Sequence, residues 1–273
     1  VTPRRAPAGP LPAYVLHSHD WSETSLIVEL FIRERGRVVV VAKGAKRPYS
    51  QQRSVLLPFQ RLLVQLGRTP ADEAAEVHTL RSAEWAGGLP SPGGAALFAG
   101  FYLNELVLRL LARQDPHPNL FDEYADTIAA LSSAGEGAGE VVLRAFELAL
   151  LRELGVLPEL GVLTQAAQAV SAEGIYTLDA EVGVVAVPRG QAGVPGAALV
   201  AIEAALLHGG GAALRAAAAP VVGELRPPLR KLLHYHLGSA TLRTRSVMQG
   251  VKNLLDPAPS AALSLAATPA RPR

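Results

Sequence analysis

The sequence predicts an α+β protein of two domains, a small closed β-barrel followed by a mainly helical domain. Three observations carry that expectation. Five strand-like segments crowd into about 70 residues from Ala13 onward. The stretch Ala86-Gly-Gly-Leu-Pro-Ser-Pro-Gly-Gly94 then interrupts the chain with four glycines and two prolines. From Ala95 onward the apolar residues recur with a helical period. The expected layout is a disordered tail over 1–12, the barrel over 13–86, a linker over 87–94, the helical domain over 95–256 and a second disordered tail over 257–273.

The strands are expected at Ala13–His19, Leu26–Ile32, Val38–Ala42, Pro58–Leu66 and Ala74–Arg81. Arg33-Glu-Arg-Gly36-Arg between the second and third is a tight polar turn, with glycine where a positive φ is needed. A short helical turn fits Arg53–Leu57. Five strands with a long link between the third and fourth match a Greek-key barrel of the OB type, with an SH3-like barrel the nearest competitor. The apolar runs are longer than an open two-layer sheet requires, and barrel closure, which removes edges and buries one face, is the expected reason.

Helices are expected at Ala95–Arg113, Asn119–Ser132 and Glu140–Leu154, the last closed by Gly155. Within 156–196 the pattern is mixed. Leu160–Ser171 is compatible with a helix, whereas Gly174–Leu178 and Gly183–Val187 read as a short hairpin. Ala197–Leu207 and Ala212–Ala219 are Ala-rich helices, Pro227 opens a helix running to Leu237, and a last helix is expected from Thr241 to Leu255.

Composition narrows the function. No uncharged apolar run reaches the length of about eighteen residues that spans a bilayer, and the first ten residues lack a secretory h-region. A soluble cytoplasmic protein without membrane contact is expected. The absence of cysteine excludes disulfides, thiolate metal sites and cysteine nucleophiles. The net charge of +2 conceals segregation: residues 1–68 sum to +7, 69–90 to −3, 91–222 to −8 and 223–273 to +6. Basic ends around an acidic middle point to a polyanionic partner.

The candidate site follows the third strand. Lys43, Lys46, Arg47 and Arg53 leave the core on a loop containing Gly44 and Pro48, and Arg33, Arg35 and Arg37 stand at the hairpin turn before it. Together they are expected to form one electrostatic track along the barrel, with Tyr49 exposed for base stacking. Trp21 and Phe59 are either further stacking residues or core. The basic segment near the C-terminus adds Arg243 and Arg245, as well as Arg226, Arg230 and Lys231, and it either docks on the barrel or extends the same surface. His17 and His19 share a strand face beside Asp20, a spacing that can bind a metal, but without a third ligand they read as ordinary surface. His234 and His236 point apart on a helix.

Walker, nucleophile-elbow and zincin motifs do not occur. Lys43-Gly44 lacks the acidic partner of a nucleotidyl-transfer lysine, and Asp122-Glu123 fits a solvated helix face. No catalytic residue, metal site or cofactor is expected.

Several stretches, taken together, resemble the bacterial RecO recombination-mediator family. They are Tyr14-Val-Leu-His-Ser-His-Asp-Trp-Ser-Glu-Thr-Ser-Leu-Ile-Val28, Val41-Ala-Lys-Gly-Ala-Lys-Arg-Pro48, Leu57-Pro-Phe-Gln60, Leu80-Arg-Ser-Ala-Glu84 and Tyr102-Leu-Asn-Glu-Leu106, then Leu120-Phe-Asp-Glu-Tyr124, Leu143–Gly155 and Leu242-Arg-Thr-Arg-Ser246. The likeness extends over about 240 residues in fixed order. It implies an N-terminal OB-fold, a helical C-terminal domain and binding of single- and double-stranded DNA. It also implies annealing of complementary strands, assistance to RecA loading in the RecFOR pathway and association with the nucleoid. RecR and the acidic C-terminal tail of single-stranded-DNA-binding protein (SSB) are the implied partners. Some members carry a four-cysteine zinc site; this chain cannot, so its 156–196 region is expected to be held by packing alone. Two other readings stay open on the residues: a protein–protein adaptor whose DNA contact is secondary, and a nuclease or ligase-like enzyme with the barrel as an accessory module.

Overall fold

The computed structural model describes residues 9–67, 77–88, 91–133, 139–188, 190–238, 242–244 and 247. The strands β1 (Leu11–Asp20), β2 (Leu26–Ile32), β3 (Gly36–Ala42), β4 (Arg61–Leu66) and β5 (Val77–Trp85) close into a barrel, and the short helix α1 (Gln51–Val55) lies between β3 and β4. Around the barrel the order is β1-β2-β3-β5-β4, with β4 returning to β1. Pairings are antiparallel except β3 with β5, which is parallel through Val39↔Val77 and Val41↔Thr79. This is the OB-type barrel expected from the strand spacing.

Two hydrophobic cores explain the long apolar runs. Ala13, Val15, Val28, Leu30, Ile32, Val38, Val40, Leu62, Val64 and Leu80 fill the barrel. Tyr14, Leu16, Phe31 and Phe59 point outward from it and join the core of the helical domain. Closure therefore accounts for one buried face, and the helical domain covers part of the other. Strands with both faces buried cannot alternate with polar residues. β1 begins at Leu11, inside the stretch expected to be a tail, because Leu11 and Pro12 pair with Val64 and Leu63.

β4 begins at Arg61 rather than Pro58. Phe59 adopts φ +68°, an uncommon conformation for a residue with a side chain. The turn sends its ring into the helical core, 5.1 Å from the Phe101 ring. Glycine at 100 makes this possible, since a Cβ there would lie 2.8 Å from the Phe59 ring. Phe59 is thus core and not a stacking residue.

The helical part comprises α2 (Ala95–Leu110), α3 (Pro118–Ser133), α4 (Gly139–Glu153), α5 (Gly196–His208), α6 (Gly210–Ala218) and α7 (Val222–Leu237). A hairpin of β6 (Val162–Leu163) and β7 (Gln168–Ala169) and a small sheet β10-β8-β9 lie between α4 and α5, with β8 at Ile175–Asp179, β9 at Gly183–Ala186 and β10 at Val194–Pro195. The helix expected over Leu160–Ser171 does not form. Residues 164–169 are all exposed, so a helix there would have no face to bury, and short unsupported helices are marginal in water. Packing alone does not hold this region. Tyr176, Leu178, Val184 and Val194 enter the helical core. The Tyr176 hydroxyl accepts from Ser171 N–H at 3.0 Å, and Glu203 accepts from Leu160 N–H at 2.8 Å.

α7 starts at Val222, five residues before Pro227. Proline inside a helix costs about 3 kcal/mol, but Leu225, Leu229, Leu232 and Leu233 form a buried stripe that continues through Pro227 and Pro228. Tertiary burial outweighs local propensity. Of the expected last helix, Arg243, Thr244 and Val247 are helical, Leu242 is not, and the other residues lie outside the described residues, as do residues 1–8 and 257–273 of the expected tails. Among the described residues, no helix is long and apolar enough to cross a membrane.

Candidate nucleic-acid interface

The two basic clusters flanking β3 lie at its opposite ends, because β3 carries the chain the length of the barrel, roughly 20 Å for seven residues. They do not form a single track. At the hairpin end, Gly36 has φ +67° and packs so closely on the link between α2 and α3 that a Cβ would fall 1.8 Å from the Asp115 carbonyl oxygen. Arg37 then pairs along this link with Arg113, its carbonyl accepting from Gln114 N–H at 2.9 Å. The Arg37 side chain is turned inward. It donates to the Leu108 carbonyl and pairs with Glu29 at 3.4 Å. Burial pushes its pKa down, with Glu29 opposing and Arg113 reinforcing the shift. Arg33 forms a two-pronged pair with Asp122 of α3, at 2.9 and 2.7 Å. Arg35 is half-buried near His78. Arg33 and Arg37 therefore hold the barrel to the helical domain.

At the other end the loop after β3 is anchored, and of its cations only Lys46 has an acidic partner among the described residues. Ala45 and Leu56 are buried and plug the barrel mouth. Gly44, at φ +74°, makes the turn that brings the chain back, and Arg47 N–H closes it on the Gly44 carbonyl at 3.1 Å. Lys46 is the tie to the β1–β2 loop. Its backbone N–H donates to the Thr24 carbonyl at 2.9 Å, and its ammonium donates to Asp20 at 2.8 Å and to the Ser22 carbonyl at 3.1 Å. Lys43, Arg47 and Arg53 are exposed and make no ion pair among the described residues. Tyr49 is 98 % exposed and Trp21, on the loop that Lys46 holds, is 64 % exposed. Two aromatic faces and two unpaired cations thus stand on two cross-linked loops at one mouth of the barrel, and the third unpaired cation, Arg53, follows on α1. Such a surface can accept a phosphate backbone and stack bases.

Arg243 lies near the barrel rather than at its mouth. Glu105 of α2 accepts from Arg243 N–H at 2.8 Å, from Thr244 N–H at 2.9 Å and from the Thr244 hydroxyl. Burial works against the Glu105 charge, but these three hydrogen bonds and Arg109 hold its pKa below the usual carboxylate range. The C-terminal segment is therefore docked on α2, with the Arg243 side chain exposed. Arg245 lies outside the described residues. Sequence reasoning missed the exposed Trp85 at the end of β5 and the structural use of Arg33 and Arg37. The acidic partners of those arginines, Asp122 and Glu29, were visible as residues, but not their proximity.

Comparison with known proteins gives a consistent result. The family model described as "Recombination protein O N terminal" matches residues 11–88, and "Recombination protein O C terminal" matches residues 93–246. The chain is similar to the DNA repair protein RecO of Verminephrobacter eiseniae, 50 % identical over 240 residues that cover 87 % of this chain and 94 % of that protein. It is 50 % identical to the DNA repair protein RecO of Delftia acidovorans, over 89 % of this chain and 96 % of that one. Its identity to the DNA repair protein RecO of Polaromonas sp. JS666 is 46 %, over 90 % and 98 %.

Proposed function

The chain belongs to the RecO family, whose identity supports a role in DNA repair and recombination, and from that premise we propose a non-catalytic mediator that binds single- and double-stranded DNA and anneals complementary strands. Through the RecFOR pathway it assists RecA loading onto strands coated by SSB, with RecR and the acidic SSB tail as partners. The observation that carries the DNA contact is the barrel mouth, where Lys43, Arg47 and Arg53 stand unpaired among the described residues around exposed Trp21 and Tyr49.

The mechanism needs no reacting group. Cations placed on two strands reduce the phosphate repulsion that keeps them apart, and aromatic faces hold unpaired bases while partners are found. The sequence-expected track of seven cations is too generous for this role, since Arg33, Arg37 and Lys46 have acidic partners.

The triple variant K43A/R47A/R53A tests the reading. Three phosphates released should flatten the salt dependence of single-strand binding by about 2 in log–log slope, and annealing by the isolated protein should be lost. Retained annealing with an unchanged slope would remove the barrel mouth from the site.

A further inference from the structure

Two consecutive residues of α2 bring separate pieces of chain together beside the barrel. Asn104 donates to the Leu16 carbonyl at 2.9 Å and accepts from the buried Tyr124 hydroxyl at 2.6 Å. Glu105 grips the backbone of Arg243 and Thr244.

Leu16 is where β1 bulges. Its register with β2 shifts between Val15, opposite Leu30, and His17, opposite Glu29. Before the bulge the odd-numbered residues Ala13 and Val15 face the barrel interior. A bulge adds one residue and reverses that parity, so His17 and His19 face outward. Both are exposed, with ring centroids 4.2 Å apart. Burial lowers the His17 pKa, His19 and to the smallest extent Arg243 reinforce the shift, and Glu29 opposes it.

The carboxylates around this group are already engaged. Glu29 pairs with Arg37 and Arg113, each at 3.4 Å. Glu105 pairs with Arg109 at 3.0 Å while holding the C-terminal segment. Asp20, at the end of the same strand, pairs with Lys46 of the loop site at 2.8 Å. Among the described residues, what remains open on this side of β1 is a row of donors, Arg243, His17 and His19, leading to the loop that bears Trp21. The four residue steps from His17 to Trp21 span roughly 13 Å of extended chain.

We propose that His17, His19 and Arg243 form a second phosphate-binding step, so that one nucleic-acid strand leaving the barrel mouth runs along β1 to the docked C-terminal segment. Glu105 is its positioning residue, acting through Arg243. This rests on the nucleic-acid reading of the barrel mouth and adds to it a direction and a length.

The test compares oligothymidylates of about 4 and about 16 nucleotides, the two ends of the site sizes of such barrels. R243A should lower the salt slope on the longer strand by about 0.7 and leave the shorter one unchanged. H17A/H19A should weaken the longer strand by roughly tenfold, as expected for lost hydrogen bonds to a charged group. E105A gives the sharpest readout. Removing a carboxylate should by charge alone tighten binding of a polyanion, so weakened binding of the longer strand identifies positioning. Thermal melting of each variant verifies the fold. Wild-type binding of both lengths by all three variants, or an equal loss on both lengths, overturns the path. If K43A/R47A/R53A leaves the shorter strand bound, the reading of the barrel mouth itself fails, whatever the β1 variants do.

Discussion

At the hairpin end of β3, Arg33 and Arg37 meet Asp122 and Glu29, and the turn between them presses on the link between α2 and α3. At the opposite end, Lys43, Arg47 and Arg53 meet no carboxylate among the described residues, and only Lys46 is paired. Both ends of one strand are basic in sequence. Charge count does not separate an arginine that fastens two domains from one that awaits a phosphate. The separation depends on whether a carboxylate remote in sequence folds back within reach. It also has an energetic signature: paired, desolvated charges contribute to stability, whereas unpaired exposed ones contribute to binding.

Four variants put that contrast at risk. The largest expected effect is R37A. It would leave the mostly buried Glu29 without one of its partners and open the Leu108 carbonyl. Loss of about 3 kcal/mol in urea denaturation is expected, as for a broken buried pair, with single-strand binding by the folded fraction unchanged. The mirror image is K43A/R47A/R53A, expected to keep stability within roughly 0.5 kcal/mol per site while losing binding. If R37A bound DNA more weakly at full stability, the division between the two ends would collapse.

W21A is the next in size. A base stacked on an aromatic contributes about 1–3 kcal/mol, so affinity for single strands should fall correspondingly while the salt slope stays constant. Fluorescence of Trp21, in a W85F background that removes the other tryptophan of the chain, should be quenched on titration with oligothymidylate. An unquenched signal would leave Tyr49 as the stacking face. The smallest effect is expected from R33A. Its pair with Asp122 is well aligned but largely exposed, so the urea midpoint should move only slightly. DNA affinity should not move, and a binding loss at this position would restore the hairpin end to the interface.

The family-like motifs acquire a physical use in the folded chain. Tyr102-Leu-Asn-Glu-Leu106 supplies Asn104, which ties Tyr124 of Leu120-Phe-Asp-Glu-Tyr124 to the first strand. Its neighbour Glu105 holds Leu242-Arg-Thr. Tyr102 itself donates to the buried Glu147, which Arg144 also meets at 2.8 Å. Motifs far apart in the chain converge on the joint between barrel and helices, where buried polar groups must be matched.

Part of the fold is legible in the sequence. The β2–β3 hairpin follows from two β-branched runs around Gly36, and α2, α3 and α4 follow from their apolar period. The loop cations and the exposure of Tyr49 were visible because a polar run after a buried strand has nowhere to go but the surface. Other features depended on contacts remote in sequence. Pro227 and Pro228 signal a helix start by local rules, and the buried leucine stripe that overrides them is a tertiary fact. Local sequence does not separate ring stacking from core for Phe59, because Gly100 receives it from another domain.

The sequence by itself determined the barrel, the helical domain and the surplus of positive charge at the two ends of the chain, because periodicity, glycine and proline act locally. Only the tertiary structure decided which cations remain unpaired among the described residues, which aromatic turns inward, and that a one-residue bulge at Leu16 turns two histidines to the outside of the barrel. Pairing, burial and parity across strands are properties of neighbours in space, and here those neighbours lie from about ten to more than two hundred residues apart along the chain.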